Sequence, residues 1–242
     1  MNLSDTLIKK LAQHSKLEAP DIAALRTLSC QFRELRPGED FIHQGDVPTA
    51  SAVVLDGMLA RYHTLKGGGR QYLSLHIEGD WPDAQGLFIE RMDHSVCAVG
   101  RASVCAVPHT ELIKLFRSHP ALSFAIWRET LIDAAIFREA ITNNSSRSGV
   151  TRLAHFFAEV YYRADAVGLA KDNSCELLLN QTQIGEMLGM SIVTVNRHLQ
   201  TLRKSRAADL RGGRLVVKNW ARLASLGDFD PLYLHLVVQP LR

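Results

Sequence analysis

Between Asn180 and Lys204 the chain carries side chains suited to reading a nucleic acid, at spacings that gather them on one surface. At about 100° per residue, Val193, Arg197, Gln200 and Lys204 share one side of a helix, with Thr194 and Asn196 flanking them. An arginine bonds guanine O6 and N7 through two donors, Asn or Gln does the same for adenine, and a valine can meet a thymine methyl. The opposite side holds Val195, Leu199 and Leu202, at i, i+4 and i+7, a stripe that asks to be buried. Gln181, Thr182 and Ser191 lie at helix starts, where backbone N–H groups favour phosphate oxygens.

Two helices and a turn must position these groups. Asn180 followed three residues later by Gln183 is a capping-box pattern. Ile184 and Leu188 give the first helix its apolar face, Gly189 ends it, and Ser191 caps the second. The spacing predicts a helix-turn-helix whose second helix, 191–204, enters a major groove. Arg211-Gly212-Gly213-Arg214 then reads as a tight hairpin, a wing with Arg214 directed at phosphates. From 180 to 222 eight basic residues face only Glu186 and Asp209, a local charge of +6 in a chain whose net charge is +3. That is an electrostatic footprint for a polyanion. A helical hairpin packed inside an α-domain accounts for the apolar stripe but not for the basic outer face.

Upstream, residues 4–28 read as short helices around Pro20. From Phe32 to Val107 many short β-prone runs, such as Ala52-Val53-Val54-Leu55, alternate with glycine turns, the signature of an all-β sandwich or barrel. From Ala121 to Ile141 no helix breaker intervenes. Leu122, Ile126, Leu131, Ile132 and Ile136 are among too many apolar residues for one stripe, so more than one side is buried and a second copy of the chain is the simplest partner. Asn143-Asn144-Ser145-Ser146 predicts a hinge and places the domain boundary at 142–148. A second amphipathic helix follows to about Gly168, and 228–242 is an extension without an assigned role.

The 242 residues are 46% apolar and 22% charged, ordinary for globular chains and outside the disordered and fibrous classes. No apolar run approaches the ~20 residues that span a bilayer, and the N-terminus lacks the charged and apolar regions of a signal peptide. A cytoplasmic chain without membrane contact is expected. Cys30, Cys97, Cys105 and Cys175 form no C-x-x-C and read as buried apolar residues in a reducing compartment, with Cys97 and Cys105 as an alternative redox pair. Asp83, Asp93 and His94 are the one acid/base grouping, but no nucleophile-elbow, phosphate-cradling or H-E-x-x-H motif accompanies them. Catalysis is not expected.

Taken together these segments resemble the Crp/Fnr family of bacterial transcription regulators over about residues 20 to 225. The likeness rests on Leu35-Arg36-Pro37-Gly38-Glu39, Gly45-Asp46, Val54-Leu55-Asp56-Gly57 and Gly79-Asp80, which match its cyclic-nucleotide-binding β-roll, followed by a long helix and a winged helix-turn-helix. The resemblance implies an α+β chain: an antiparallel, jelly-roll-like β-roll with N-terminal helices over 1–117, a long dimerisation helix and hinge over 118–145, and a winged helix-turn-helix with its extension over 146–242. It implies a homodimer bound to a near-palindromic DNA operator, with Arg197 as the principal base-reading residue and RNA polymerase as a further partner.

The effector pocket departs from the family pattern. Asp83-Ala84 stands where cyclic-AMP-responsive members have Gly-Glu, and His94-Ser95 where their Arg-Ser begins. A largely neutral histidine replaces the bidentate arginine that clamps a cyclic phosphate. An effector other than cyclic AMP, or none, is therefore expected, and the alternative is a roll that binds a cyclic nucleotide or haem. Cys30 lacks the neighbours of an iron–sulfur cluster, and a haem would take its axial ligand from among His63, His76, His94 and His109. No cofactor or metal is predicted. Val193 occupies a position where many family members carry a glutamate, which predicts an altered half-site.

Overall fold

The computed structural model describes residues 3–236 and divides into two compact units, Met1–Asp133 and Ala134–Arg242. In the first, α1 (Leu3–Leu11) and α2 (Ala19–Arg26) precede β1 (Gln31–Leu35), β2 (Asp40–Ile42), β3 (Ala50–Asp56), β4 (Leu59–Thr64) and β5 (Arg70–His76). A 3-10 turn at Ala84–Leu87, β6 (Ser95–Ala98), β7 (Ala102–Pro108) and α3 (His109–Ser118) follow. Two antiparallel sheets form, in the orders β1-β7-β3 and β2-β6-β4-β5.

The near-continuous apolar run of β3 is buried on both faces. Strand side chains alternate sides: Ala52 and Val54 join Leu59, Val96, Ala98 and Val104 between the sheets, while Val53 and Leu55 turn to Leu7, Leu11, Leu25 and Leu112 of the helices. Cys105 on β7 is disulfide-bonded to Cys30, with Cα atoms 5.6 Å apart. The expectation of four unpaired cysteines is thereby corrected, and so is the Cys97–Cys105 alternative, since Cys105 faces the helix-covered core and is bonded to Cys30 while Cys97 is free. Cys97 and Cys175 are free, and burial pushes their thiols up to about 11 and about 12 respectively, leaving inert, protonated sulfurs.

The long helix α4 runs from Pro120 to Ser146, and the two units divide within it. The hinge expected at 142–148 contracts to Arg147 and Ser148. Asn143 and Asn144 do not break the helix because their side-chain amides donate to Arg152 O (3.2 Å) and Met187 O (3.2 Å) instead of competing for their own backbone.

In the second unit α5 (Gly149–Ala166) is buried from Leu153 to Ala164 and forms its centre. Around it lie β8 (Ser174–Glu176), α6 (Gln181–Leu188), α7 (Ile192–Lys204), β9 (Ala208–Arg211), β10 (Arg214–Val217) and α8 (Trp220–Gly227). The extension after 228 belongs to this core as far as it is described. Tyr233 stacks on His155, Phe229 meets His155 and Tyr162 edge to face, and Tyr233 Oη donates to Glu159 at 2.8 Å. Residues 237–242 lie outside the described residues.

Candidate nucleic-acid interface

The capping box is formed: Asn180 Oδ1 accepts from Gln183 N, and Gln183 Oε1 from Asn180 N, both at 2.9 Å. Gly189 closes α6 in the left-handed region at φ 64°, where a Cβ would be strained. Gly185 allows the next turn to approach, since a Cβ there would stand 2.4 Å from Met190 O. Ser191 Oγ then accepts from Thr194 N at 3.2 Å and starts α7.

Val195, Leu199 and Leu202 are buried, as their spacing predicts. On the outer side Val193 is 74% exposed, Arg197, Gln200 and Lys204 are exposed, and Thr194 and Asn196 are half-buried. Asn196 Nδ2 donates to Ile192 O at 3.1 Å, so this amide is folded against its own helix. Thr182 is exposed and Gln181 half-buried at the start of α6.

Of the two acidic side chains in this basic window, Asp209 accepts from Arg203 Nε at 2.9 Å and pairs with Arg211 Nε at 2.7 Å. Burial opposes its ionisation, but the Arg203 hydrogen bond and the surrounding cations hold it below the usual carboxylate range. The wing turns through Gly212 and Gly213, both at positive φ, as a two-residue hairpin requires. Arg214 is exposed but gives one donor to Ser174 Oγ at 2.7 Å, so its guanidinium is anchored to β8 as well as available outward.

Residue spacing missed what fixes α6. Arg152 Nη1 donates to Leu188 O at 2.8 Å, and Asn144 reaches Met187 O, so a cation and an amide satisfy the open carbonyl end of the first helix. Neither residue lies in the helix-turn-helix segment, and no local pattern points to them.

The residues expected to line an effector pocket are committed to the protein. Asp83 is fully buried, and its Oδ1 accepts from Ala52 N at 2.7 Å. Burial pushes its carboxyl up to about 7. Ala84 is buried, Ser95 Oγ accepts from Gln44 N at 3.0 Å, and His94 lies between Asp93 (2.6 Å) and Gln85 (3.4 Å). Burial, with the Arg61 charge, lowers the His94 imidazole below its ordinary value. Arg61 itself went unnoticed in the sequence. It is 2% exposed, donates to Pro82 O at 2.6 Å and Gln85 Oε1 at 3.3 Å, and pairs with Asp133. A charge inside the apolar run Met58–Tyr62 was its only signal. The candidate haem ligands are likewise engaged: His63 with Asp93 O, His76 with Ser74, and His109 with Ser51.

The dimer-helix residues need correction. Leu122 and Ile126 are buried in the helix-covered core of the first unit and Ile132 is 5% exposed, so these three are not open to a partner, while Ile136 is half-buried. The apolar residues that α4 leaves exposed are Phe124, Trp127, Leu131 and Ile141. Of those expected, only Leu131 belongs to this set.

Comparison with known proteins agrees with this geometry. Residues 32–119 match the cyclic nucleotide-binding domain model and 151–226 the Crp-like helix-turn-helix domain model. The transcriptional activator protein FnrA of Stutzerimonas stutzeri is 23% identical over 222 residues, covering 92% of this chain and 91% of that protein. The nitrogen fixation regulation protein FixK of Bradyrhizobium diazoefficiens is 25% identical over 224 residues, with 92% of each chain covered. The structure of FixK2 from Bradyrhizobium japonicum superposes with a TM-score of 0.74 at 22% identity, over 84% of this chain and all of that one. A nucleotide-binding-like antiparallel roll, a long helix and a helix-turn-helix with an exposed basic face occur here in one chain, which belongs to the Crp/Fnr family of DNA-binding transcription regulators.

Proposed function

We propose that two copies pair along the exposed apolar stripe of α4 and present their α7 helices to successive major grooves of a near-palindromic operator. The grooves on one face of a duplex recur about every 34 Å. The observation that carries this reading is the outer side of α7, where Val193, Arg197, Gln200 and Lys204 stand exposed and no carboxylate intervenes. Pairing is supported by Phe124, Trp127, Leu131 and Ile141, whose exposure would otherwise leave a large apolar surface in water. RNA polymerase enters as a further partner through the family resemblance alone.

The effector is other than cyclic AMP, or absent. Asp83 and Ser95 already satisfy backbone N–H groups, and Arg61 is already paired with Asp133. One observation favours a second reading, a cyclic-nucleotide-responsive regulator: Arg61 is a buried guanidinium beside the segment 82–85 and His94. An anionic ligand would have to displace Asp133 from it. Calorimetry with cyclic AMP and cyclic GMP separates the two, since micromolar binding of either would support the second and remove the first.

Selection of bound duplexes from random DNA, at stated salt because phosphate contacts dominate affinity, tests the main proposal. Two inverted half-sites with centres one helical turn apart are expected. A single asymmetric site, or no enrichment, would contradict it.

A further inference from the structure

Asp209 is a carboxylate in a window built for a polyanion, where its charge works against phosphate binding. It is also buried, so it carries a desolvation cost as well. What offsets both is that it holds two cations from different elements. Its Oδ1 accepts from Arg203 Nε at 2.9 Å and pairs with Arg203 Nη2 at 2.8 Å, and Arg203 lies in the last turn of α7. Its Oδ2 pairs with Arg211 Nε at 2.7 Å, next to the Gly212–Gly213 turn of the wing. One side chain therefore ties α7 to the wing. The wing has need of it, because Arg211 and Arg214 stand directly opposite each other in the β9–β10 register, and like charges so placed repel. Arg214 is drawn off to Ser174 Oγ and Arg211 to Asp209. The Arg211 side chain is still 68% exposed, and its two Nη atoms have no partner among the described residues. A guanidinium held at Nε and open at both Nη atoms is a donor fork of fixed direction.

We propose that Asp209 is a positioning residue for operator recognition: it aims Arg211 at a backbone phosphate and locks the wing to α7, lowering affinity for duplexes at large and sharpening the choice among them. The inference rests on the DNA-binding reading of α7. Phosphate contacts set the register in which a helix meets base edges. A phosphate fork tied rigidly to α7 admits one such register. Without the Asp209 charge the window becomes more positive, while Arg203 and Arg211 lose their common anchor. Every duplex then attracts the protein more strongly, and the operator stands out less.

The test compares the full chain with its Asp209→Asn variant on two duplexes, the operator enriched by selection and one of scrambled sequence, across a salt series. Asp209→Asn should bind the scrambled duplex more tightly, with a slope of log affinity against log salt steeper by about one. Its affinity for the operator should fall about tenfold. Equal weakening on both duplexes, the result of lost stability alone, would overturn the proposal, and so would an unchanged ratio of the two affinities. Arg211→Lys keeps the charge and the wing should Asp209→Asn fail to fold. It loses the fork, so operator binding should weaken about fivefold while the scrambled duplex and its salt slope stay as they were. Unchanged operator binding in Arg211→Lys would likewise overturn the proposal. A full chain that enriches no sequence would remove the DNA-binding reading together with this one, whereas an enriched operator with an unchanged affinity ratio in Asp209→Asn removes this one alone.

Discussion

Single side chains decide two outcomes. Arg197 stands exposed in the middle of the outer face of α7, free to address a guanine with two donors. Arg197→Ala should weaken binding to the selected operator by about 1–3 kcal/mol and relax the preference at one base position, as read from binding isotherms on single-base variants of the site. Asp83 sets a pH dependence. Burial raises its carboxyl from 3.8 to about 7 in the folded chain, so between those values the native state holds a proton that the unfolded state has lost. Its contribution to stability is complete below about pH 4 and is lost as pH rises through about 7. Asp83→Asn keeps an acceptor for Ala52 N and should flatten that stretch of the stability curve, measured by denaturant unfolding from pH 4 to 8. The role of Asp83 was hidden in the sequence because a carboxylate beside a turn looks the same whether solvated or buried; only the fold shows that β3 supplies its donor. The face of α7 was legible because helical periodicity alone sorts Val195, Leu199 and Leu202 from Arg197 and Gln200.

At the scale of elements, the two helices of the motif depend on their ends. Ser191→Ala removes the acceptor for Thr194 N and should destabilise the second unit by about 1 kcal/mol, seen as a lower unfolding midpoint with fold retained. Caps were readable because they are local patterns. The opposite end of α6 was not, because Arg152 and Asn144 arrive from α5 and α4, dozens of residues away. Helix α4 was legible in existence and misread in orientation. Counting apolar residues showed that more than one side is covered, but not that Leu122 and Ile126 face their own unit while Phe124, Trp127 and Leu131 face out. Charges introduced together at Leu131 and Ile141, as Leu131→Lys with Ile141→Lys, should dissociate the proposed pair to a monomer by sedimentation. The Leu122 site, by contrast, should affect folding and not association.

At the scale of the molecule, the order roll, long helix, winged helix-turn-helix could be read from changes of texture along the chain, because strand and helix periods differ. The place where the compact units divide could not, since α4 passes through the division without a break in its backbone. The disulfide was also invisible, because Cys30 and Cys105 are separated by 75 residues and are brought together only when β1 pairs with β7. Reducing it frees a long loop in the unfolded chain, so Cys30→Ser should cost about 2–4 kcal/mol in non-reducing buffer and nothing further once reductant is present. Thermal unfolding with and without reductant makes that comparison.

The central claim, that paired α7 helices read base edges through Arg197, is met most directly by interference with guanine N7 methylation on the selected duplex. Methylation should block binding at a guanine in each of two half-sites one turn apart, and Arg197→Ala should lose this interference. Uniform tolerance of methylation, or interference unchanged in Arg197→Ala, would contradict it.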